Sequence, residues 1–383
     1  MALHFSEEEL AGRRRQTYDA MAAAGIDGLL IFRQETMFYL TGYDTFGYVF
    51  FQCLYLGQNG AMTLLTRAPD LRQAQHTSVI EDIRIWVDGP DANPAEELAE
   101  ILKGHGCLNH KIGVEWESYG LTAQNGQRLA RALEGFCTTL DASDLVSMQR
   151  VVKSPAEVAY VRRAAELADD AYDQAVELTA SGASEGDILA AMQGAVFRGG
   201  GDYPGNEYVI GSGRDALLCR YFSGRRDLDA NDQLTLEWAG AYRHYHAAMM
   251  RTFIVGNPPA RQQRMFEASA EALVAVEEAI KPGNTFGDAF DAHAQVLDKA
   301  GLGAHRLNAC GYSLGTTFAP NWMDWPMLYR GNPVHFLPGM VVFCHMIIFD
   351  SDAGLAMTLG ETVLATESGH ERLSRSALEL VVK

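Results

Sequence analysis

The chain has no pair of cysteines at C-x-x-C spacing. Its six cysteines (Cys53, Cys107, Cys137, Cys219, Cys310 and Cys344) are scattered, which excludes a zinc knuckle and a dithiol redox motif and reads as a set of reduced thiols. It also lacks any apolar run of membrane-spanning length. The N-terminus opens with Ser6-Glu7-Glu8-Glu9 and then Arg13-Arg14-Arg15, not with the apolar core of a signal peptide. A cytoplasmic protein with no membrane partner is the expectation. Positive charge is scarce: 31 basic against 49 acidic residues leave a net charge of -18, which repels phosphate backbones and excludes nucleic acid as a partner. Low-complexity tracts and short repeats are absent as well.

What the chain does have is the composition of a globular protein, 48% apolar and 21% charged, and at 383 residues it exceeds the usual size of a single core. Two domains are therefore expected, 1–151 and 152–383. In the first, Ser6 and Glu9 form a capping box for a helix that Gly25 ends. Gly28–Phe32, Phe51–Leu56, Ala61–Leu65 and Lys111–Trp116 read as buried strands, and Pro94–Lys103 and Leu121–Leu133 as helices, which together make a small α/β domain. Ser154-Pro155-Ala156-Glu157 is a second helix start, with Pro at the first helical position. Val158, Val161, Ala164, Ala165 and Ala168 then recur at helical spacing. Further helices are expected over 185–197, 259–280 and 286–300, with strands near 207–210, over 233–255, and through the C-terminal part. That order gives an α+β unit whose helices cover one face of a curved sheet.

Five segments carry a resemblance to a known family: Arg150–Glu157, Met250-Arg251-Thr252-Phe253, Gly311-Tyr312-Ser313-Leu314-Gly315, Leu337-Pro338-Gly339-Met340, and Glu361–Thr366 followed by Gly369. Together they resemble the creatinase, prolidase and aminopeptidase P family over nearly the whole chain. The resemblance implies a pita-bread domain preceded by a smaller α/β domain of the creatinase type. It also implies hydrolysis of a C–N bond, and a homodimer in which the first domain of one chain closes the site of the other.

Family peptidases hold two metal ions on five carboxylate and imidazole ligands. Carried over position by position, those ligands appear here as Glu237, Ala248, Cys310, His345 and Gly360. A dinuclear site needs several anionic oxygens to offset its charge, and one carboxylate in register does not supply them. Glu237, His345 and Cys310 are of the types that suit a lone zinc ion, but no cofactor is expected. The metal-free branch is the nearer likeness: Glu237-Trp238-Ala239-Gly240, Tyr245-His246, Arg251-Thr252, Pro320 and Trp322 resemble the ectoine hydrolase pattern. Arg220 departs from it, standing where that pattern has histidine.

The residues themselves suggest roles. Glu237 sits among Leu234, Leu236 and Trp238, where an isolated carboxylate is costly and its pKa rises, as a general base requires; the alternative is a scaffold glutamate paired to Arg251. His244 and His246 lie two apart, on one face if both are in a strand, and His246 or His345 is the candidate proton shuttle, with a solvated face or a satisfied core histidine as the plain alternatives. Glu361 either orients one of these histidines or caps a neighbouring network. Arg220 suits a substrate carboxylate through its bidentate fork. Tyr48, Tyr312 and Trp322, with His244, are candidate pocket walls, although such aromatics are as often core.

The expected function is thus metal-independent hydrolysis of a C–N bond in a small carboxylated amidine, guanidino or cyclic amide compound. Two alternatives stand beside it, an Xaa-Pro metallopeptidase with altered ligands and a ligand-binding pseudoenzyme.

Overall fold

The computed structural model describes residues 3–220 and 225–383, and the chain divides into two compact units, Met1–Arg150 and Val151–Lys383. Among the described residues no helix is long and apolar enough to cross a membrane.

In the first unit, helices α1 (Glu7–Ala24), α2 (Gln34–Thr41), α3 (Leu71–Thr77), α4 (Pro94–Gly104), α5 (Ala123–Leu133) and α6 (Ser147–Arg150) are interspersed with six strands. The strands are β1 (Gly28–Ile31), β2 (Cys53–Gly57), β3 (Met62–Arg67), β4 (Asp82–Trp86), β5 (Lys111–Val114) and β6 (Thr138–Asp141), in the sheet order β4-β3-β2-β1-β5-β6. β2 is antiparallel to both neighbours and the other pairings are parallel. The central strand β1 is buried throughout because each face has its own core. Leu30 packs with Leu98 of α4 and Leu129 of α5, whereas Leu29 and Ile31 pack with Met21 of α1 and Leu40 of α2.

α2 begins without a local side-chain cap. Its start is held instead by a carboxylate distant in sequence: Glu115, fully buried, accepts from the backbone N–H of Phe32 (3.0 Å) and Arg33 (2.8 Å) and from the Thr36 hydroxyl (2.8 Å). Burial nevertheless pushes this carboxyl up to about 7.

The second unit contains α7 (Pro155–Leu178), α8 (Glu185–Arg198), α9 (Ala260–Ala279) and α10 (Phe286–Lys299). Its strands are β7 (Val209–Ser212), β8 (Asp232–Tyr242), β9 (Tyr245–Val255), β10 (Ala309–Ser313), β11 (Asp324–Tyr329), β12 (Val341–Asp350), β13 (Leu355–Thr366) and β14 (Gly369–Arg372). They form one antiparallel sheet in the order β11-β10-β12-β13-β9-β8-β7, with β14 added to β13. Ser154 and Glu157 complete the expected capping box at the head of α7. Glu157 also accepts from the Tyr245 hydroxyl at 2.7 Å, which ties the helix start to β9.

α7 lies against β8 and β9, and α9 against β12 and β13. The Trp238 indole donates to the Ala168 carbonyl at 2.9 Å and stacks on Tyr172. At Gly240 a Cβ would stand 1.9 Å from the Ala164 carbonyl oxygen, so only glycine allows helix and strand this close. β8 and β9 are joined by Arg243 and His244 (φ 49° and 64°), a two-residue turn of the kind that matches strand twist.

The folded chain holds the Glu115 proton more tightly than an unfolded chain does, so its contribution to stability is fully present below the ordinary carboxylate range and is lost as pH rises towards about 7. In Glu115→Gln that dependence is expected to disappear. The melting temperature of the variant should gain on the wild type between about pH 5 and about pH 8, as read by thermal melts across that range. A constant offset at every pH would refute the assignment.

Candidate active site

One row of the ladder organises the site. Glu237 on β8 faces Met250 on β9, Met250 faces Gly360 on β13, and Gly360 faces His345 on β12. Directly opposed residues share a face, so these four lie side by side across the sheet. The flanking residues Trp238, Arg251 and Glu361 project to the other face, where α7 and α9 pack. β10 adds Tyr312, opposite Phe343, whose ring stands 5.5 Å from the Tyr312 ring.

Tyr312 donates to Glu237 Oε1 at 3.4 Å and accepts from the Trp322 indole at 2.8 Å. Its ring and that of Phe343 both lie against His345, at 5.6 Å and 5.5 Å. Glu237 keeps some contact with solvent, yet its carboxyl lies deep enough that desolvation pushes it up to about 7, against the pull of Arg220 and Tyr312. Burial drives the Tyr312 hydroxyl upward too, and lowers His345 to about 4, so that imidazole is neutral near pH 7. His345 Nδ1 is buried without a hydrogen-bond partner. Arg220 is exposed and places its positive charge within electrostatic reach of Glu237, Tyr312 and His345.

Glu237, His345, Tyr312, Trp322 and Arg220 are thus brought together, and the other expected site residues are placed differently. His246 is fully buried with both ring nitrogens engaged: Nε2 accepts from the Gly205 N–H at 2.8 Å, and Nδ1 meets the Thr317 hydroxyl at 3.2 Å. An Nε2 that accepts leaves the proton on Nδ1, and this fixed tautomer suits anchoring better than proton shuttling. His244 lies in the hairpin turn, not in a strand, so the expected shared face with His246 does not exist; its ring stacks on Phe318 at 4.2 Å.

Glu361 does not orient a histidine. It faces away from His345 and pairs with Arg251, both fully buried. Arg251 also donates to the carbonyls of Met250 (2.9 Å) and Gly360 (2.8 Å), directly behind the row. The scaffold pairing considered for Glu237 therefore belongs to Glu361. Tyr48 lies in the first unit, in a buried 3-10 turn, with its hydroxyl pushed up to about 12 by burial.

The residues present do not fit a two-metal cage. Ala248 and Gly360 carry no donor atoms. Cys310 is turned into the apolar core with Cys344 and Leu328, its thiol pushed upward by burial, because Gly311 (φ 155°) breaks the alternation of β10. The β10 side chain that meets Glu237 and His345 is Tyr312. Space where a carboxylate would stand on β13 is filled: a Cβ at Gly360 would lie 2.7 Å from Phe343 Cζ and 3.0 Å from Met250 Cβ. Among the described residues no group of three or more His, Cys, Asp or Glu side chains is placed to hold an ion.

Sequence reading missed the Phe343 ring over Gly360. The signal was there, since Phe343 precedes His345 by two residues in a strand and so shares its face. Gly360→Ala is expected to cost about 1–3 kcal/mol through overpacking. In a Phe343→Ala background, where the space is open, the same change should cost much less. Chemical denaturation of the four chains measures that coupling, and additive costs would show that Phe343 does not fill the space.

Comparisons with known proteins identify the family and the fold. Residues 13–152 match the creatinase/prolidase N-terminal domain, and residues 159–367 match metallopeptidase family M24. Ectoine hydrolase from Halomonas elongata is 31% identical over the whole chain and 99% of its own length. Xaa-Pro dipeptidase from Pyrococcus furiosus is 25% identical over 75% of the chain and 78% of its own length. Among solved structures, a prolidase from Thermococcus sibiricus superimposes with a TM-score of 0.87 at 19% identity, covering 97% of this chain and 99% of that one. Dipeptidase PepE from Mycobacterium ulcerans gives 0.85 at 24% identity and 99% of both chains. The pita-bread second unit, the creatinase-type first unit and the matches along the whole chain place this protein in the M24 family of hydrolases.

Proposed function

We propose that the protein hydrolyses a C–N bond in a small carboxylated amidine, guanidino or cyclic amide compound, and does so without a metal ion. One observation carries the reading. A carboxyl held near 7 by burial lies beside a tyrosine hydroxyl, a neutral histidine with an unpartnered ring nitrogen and an arginine, where the family's peptidases keep metal ligands. The likeness to a relative named for the hydrolysis of ectoine supports a small-molecule substrate.

In this mechanism Arg220 binds the substrate carboxylate through its fork of donors. Ionised Glu237 takes a proton from water as the water oxygen attacks the electrophilic carbon. The carbon–nitrogen bond of the tetrahedral intermediate then breaks, and neutral Glu237 returns the proton to the leaving nitrogen, which restores the carboxylate. A carboxyl near 7 is suited to both halves because both of its forms are populated at neutral pH. His345, neutral near pH 7, lines the site beside Tyr312 and Phe343 and is not the acid. A homodimer and a cytoplasmic location are part of the same reading.

A thermal-shift screen of guanidino, ureido and cyclic amidine acids is expected to find a stabilising ligand that the wild type then turns over. On that compound Glu237→Gln should lose at least about a hundredfold in kcat. For the wild type, kcat/KM should rise with pH through about 7, as Glu237 ionises, and then level off. Unchanged turnover in Glu237→Gln would end the mechanism.

The M24 description favours a second reading, an Xaa-Pro metallopeptidase with altered ligands. Elemental analysis of the purified protein separates the two. The metal-free reading expects no stoichiometric transition metal and full activity after chelation; two bound ions per chain with activity lost on chelation would replace it.

A further inference from the structure

We propose that Trp322 is a positioning residue for Glu237: its indole N–H donates to the Tyr312 hydroxyl and so commits that hydroxyl's one proton to the carboxylate. A phenol has one O–H to give and accepts through its lone pairs. With the indole at 2.8 Å on the accepting side, the hydroxyl rotor is left with Glu237 Oε1 at 3.4 Å as its acceptor. Trp322 and Tyr312 are both buried, so water does not compete for the bond between them. Each bond polarises the next, and the pair is stronger than its members taken singly.

Trp322 lies outside the regular strands, and its own placement is built from the site face. Its backbone N–H donates to Asn206 Oδ1 at 3.2 Å. The adjacent Gly205 passes so close that a Cβ there would stand 2.8 Å from the Asn321 carbonyl oxygen and 2.9 Å from the Trp322 nitrogen. Gly205 in turn donates to His246 Nε2 at 2.8 Å, and His246 is fixed in β9, four residues before Met250 of the Glu237 row. The buried histidine thereby acts through the 205–206 segment and Trp322 on the Tyr312 proton. This gives His246 a positioning role in place of proton transfer.

The inference rests on the reading of Glu237 as the acting carboxyl, and its test is read without substrate so that the two fail separately. In the 1H–15N spectrum of the full chain, the Trp322 indole resonance is assigned by its loss in Trp322→Phe. It is expected to move upfield in Tyr312→Phe, which removes its acceptor. It should also move in Glu237→Gln, a residue the indole does not touch, because the acceptor strength of Tyr312 depends on the charge it faces. If Trp322→Phe does not fold, the indole resonance is assigned instead by its through-space contact with the Tyr312 ring, which keeps the test open. An indole resonance indifferent to Tyr312→Phe and to Glu237→Gln would overturn the relay, whether or not Glu237→Gln is active. A resonance that moves as expected while Glu237→Gln retains full turnover would uphold the relay and sink the catalytic reading.

Discussion

The seam between β9 and β13 is the contact on which the site depends, because the row from Glu237 to His345 crosses the sheet there. Backbone register along this seam is short, Leu359 with Arg251 and Gly360 with Met250. Side chains extend it. The Thr362 hydroxyl accepts from the Ala248 N–H and donates to the Ala248 carbonyl, both at 2.8 Å, and Thr252 takes the Thr358 N–H at 2.8 Å. Arg251 clamps the carbonyls of Met250 and Gly360 from the helix-packed face and is itself held by Glu361. A buried ion pair is not in itself a source of stability, since desolvation offsets the attraction. Its effect here is geometric: the guanidinium fixes two adjacent strands at the row where the chemistry is proposed.

Two glutamates on opposite faces of one sheet therefore have opposite fates. Glu361 has a guanidinium against it, and the pair is scaffold. Glu237 has a phenol for a hydrogen-bond partner and an exposed arginine at longer range, so desolvation outweighs the stabilisation and its carboxyl sits near 7. The difference follows from strand alternation, because Arg251 and Met250 are neighbours in β9 and only one can face each side. Had the arginine stood one position earlier, Glu237 would be the paired carboxylate and the site face would carry no group able to exchange a proton near neutrality.

Much of the architecture could be read in the sequence because its signals are local. The capping box at Ser154, the helical spacing of Val161, Ala164, Ala165 and Ala168, and the apolar runs of β1, β2 and β3 each depend on residues close in the chain. α2 was not foreseen, for a physical reason. It is buried nearly all round, so it has no polar stripe, and its start is capped by Glu115 from another strand. The site divides in the same way. That Glu237 and His345 stand on one face of the sheet could be anticipated from position and apolar context, whereas the placements of His246, His244 and Glu361 turned on orientation. A two-residue turn removed His244 from the strand, and Gly311 reversed the facing of Cys310, neither of which a spacing rule detects.

The apolar filling at Gly360 bears directly on the metal-free chemistry proposed for Glu237. A metal site holds its carboxylates ionised, and with cations nearby Glu237 would remain a carboxylate far below neutrality. Replacing donor positions by Ala248 and Gly360, and laying Phe343 and Met250 across the gap, removes ligands and lowers the local polarity in the same step. That loss of polarity is what raises the surviving carboxyl towards 7. The Tyr312 hydroxyl then limits the rise by stabilising the charged form, and Trp322 limits the freedom of that hydroxyl. On the proposed reading, proton exchange at neutral pH rests on Glu237 standing in an apolar surround with Tyr312 as its hydrogen-bond partner.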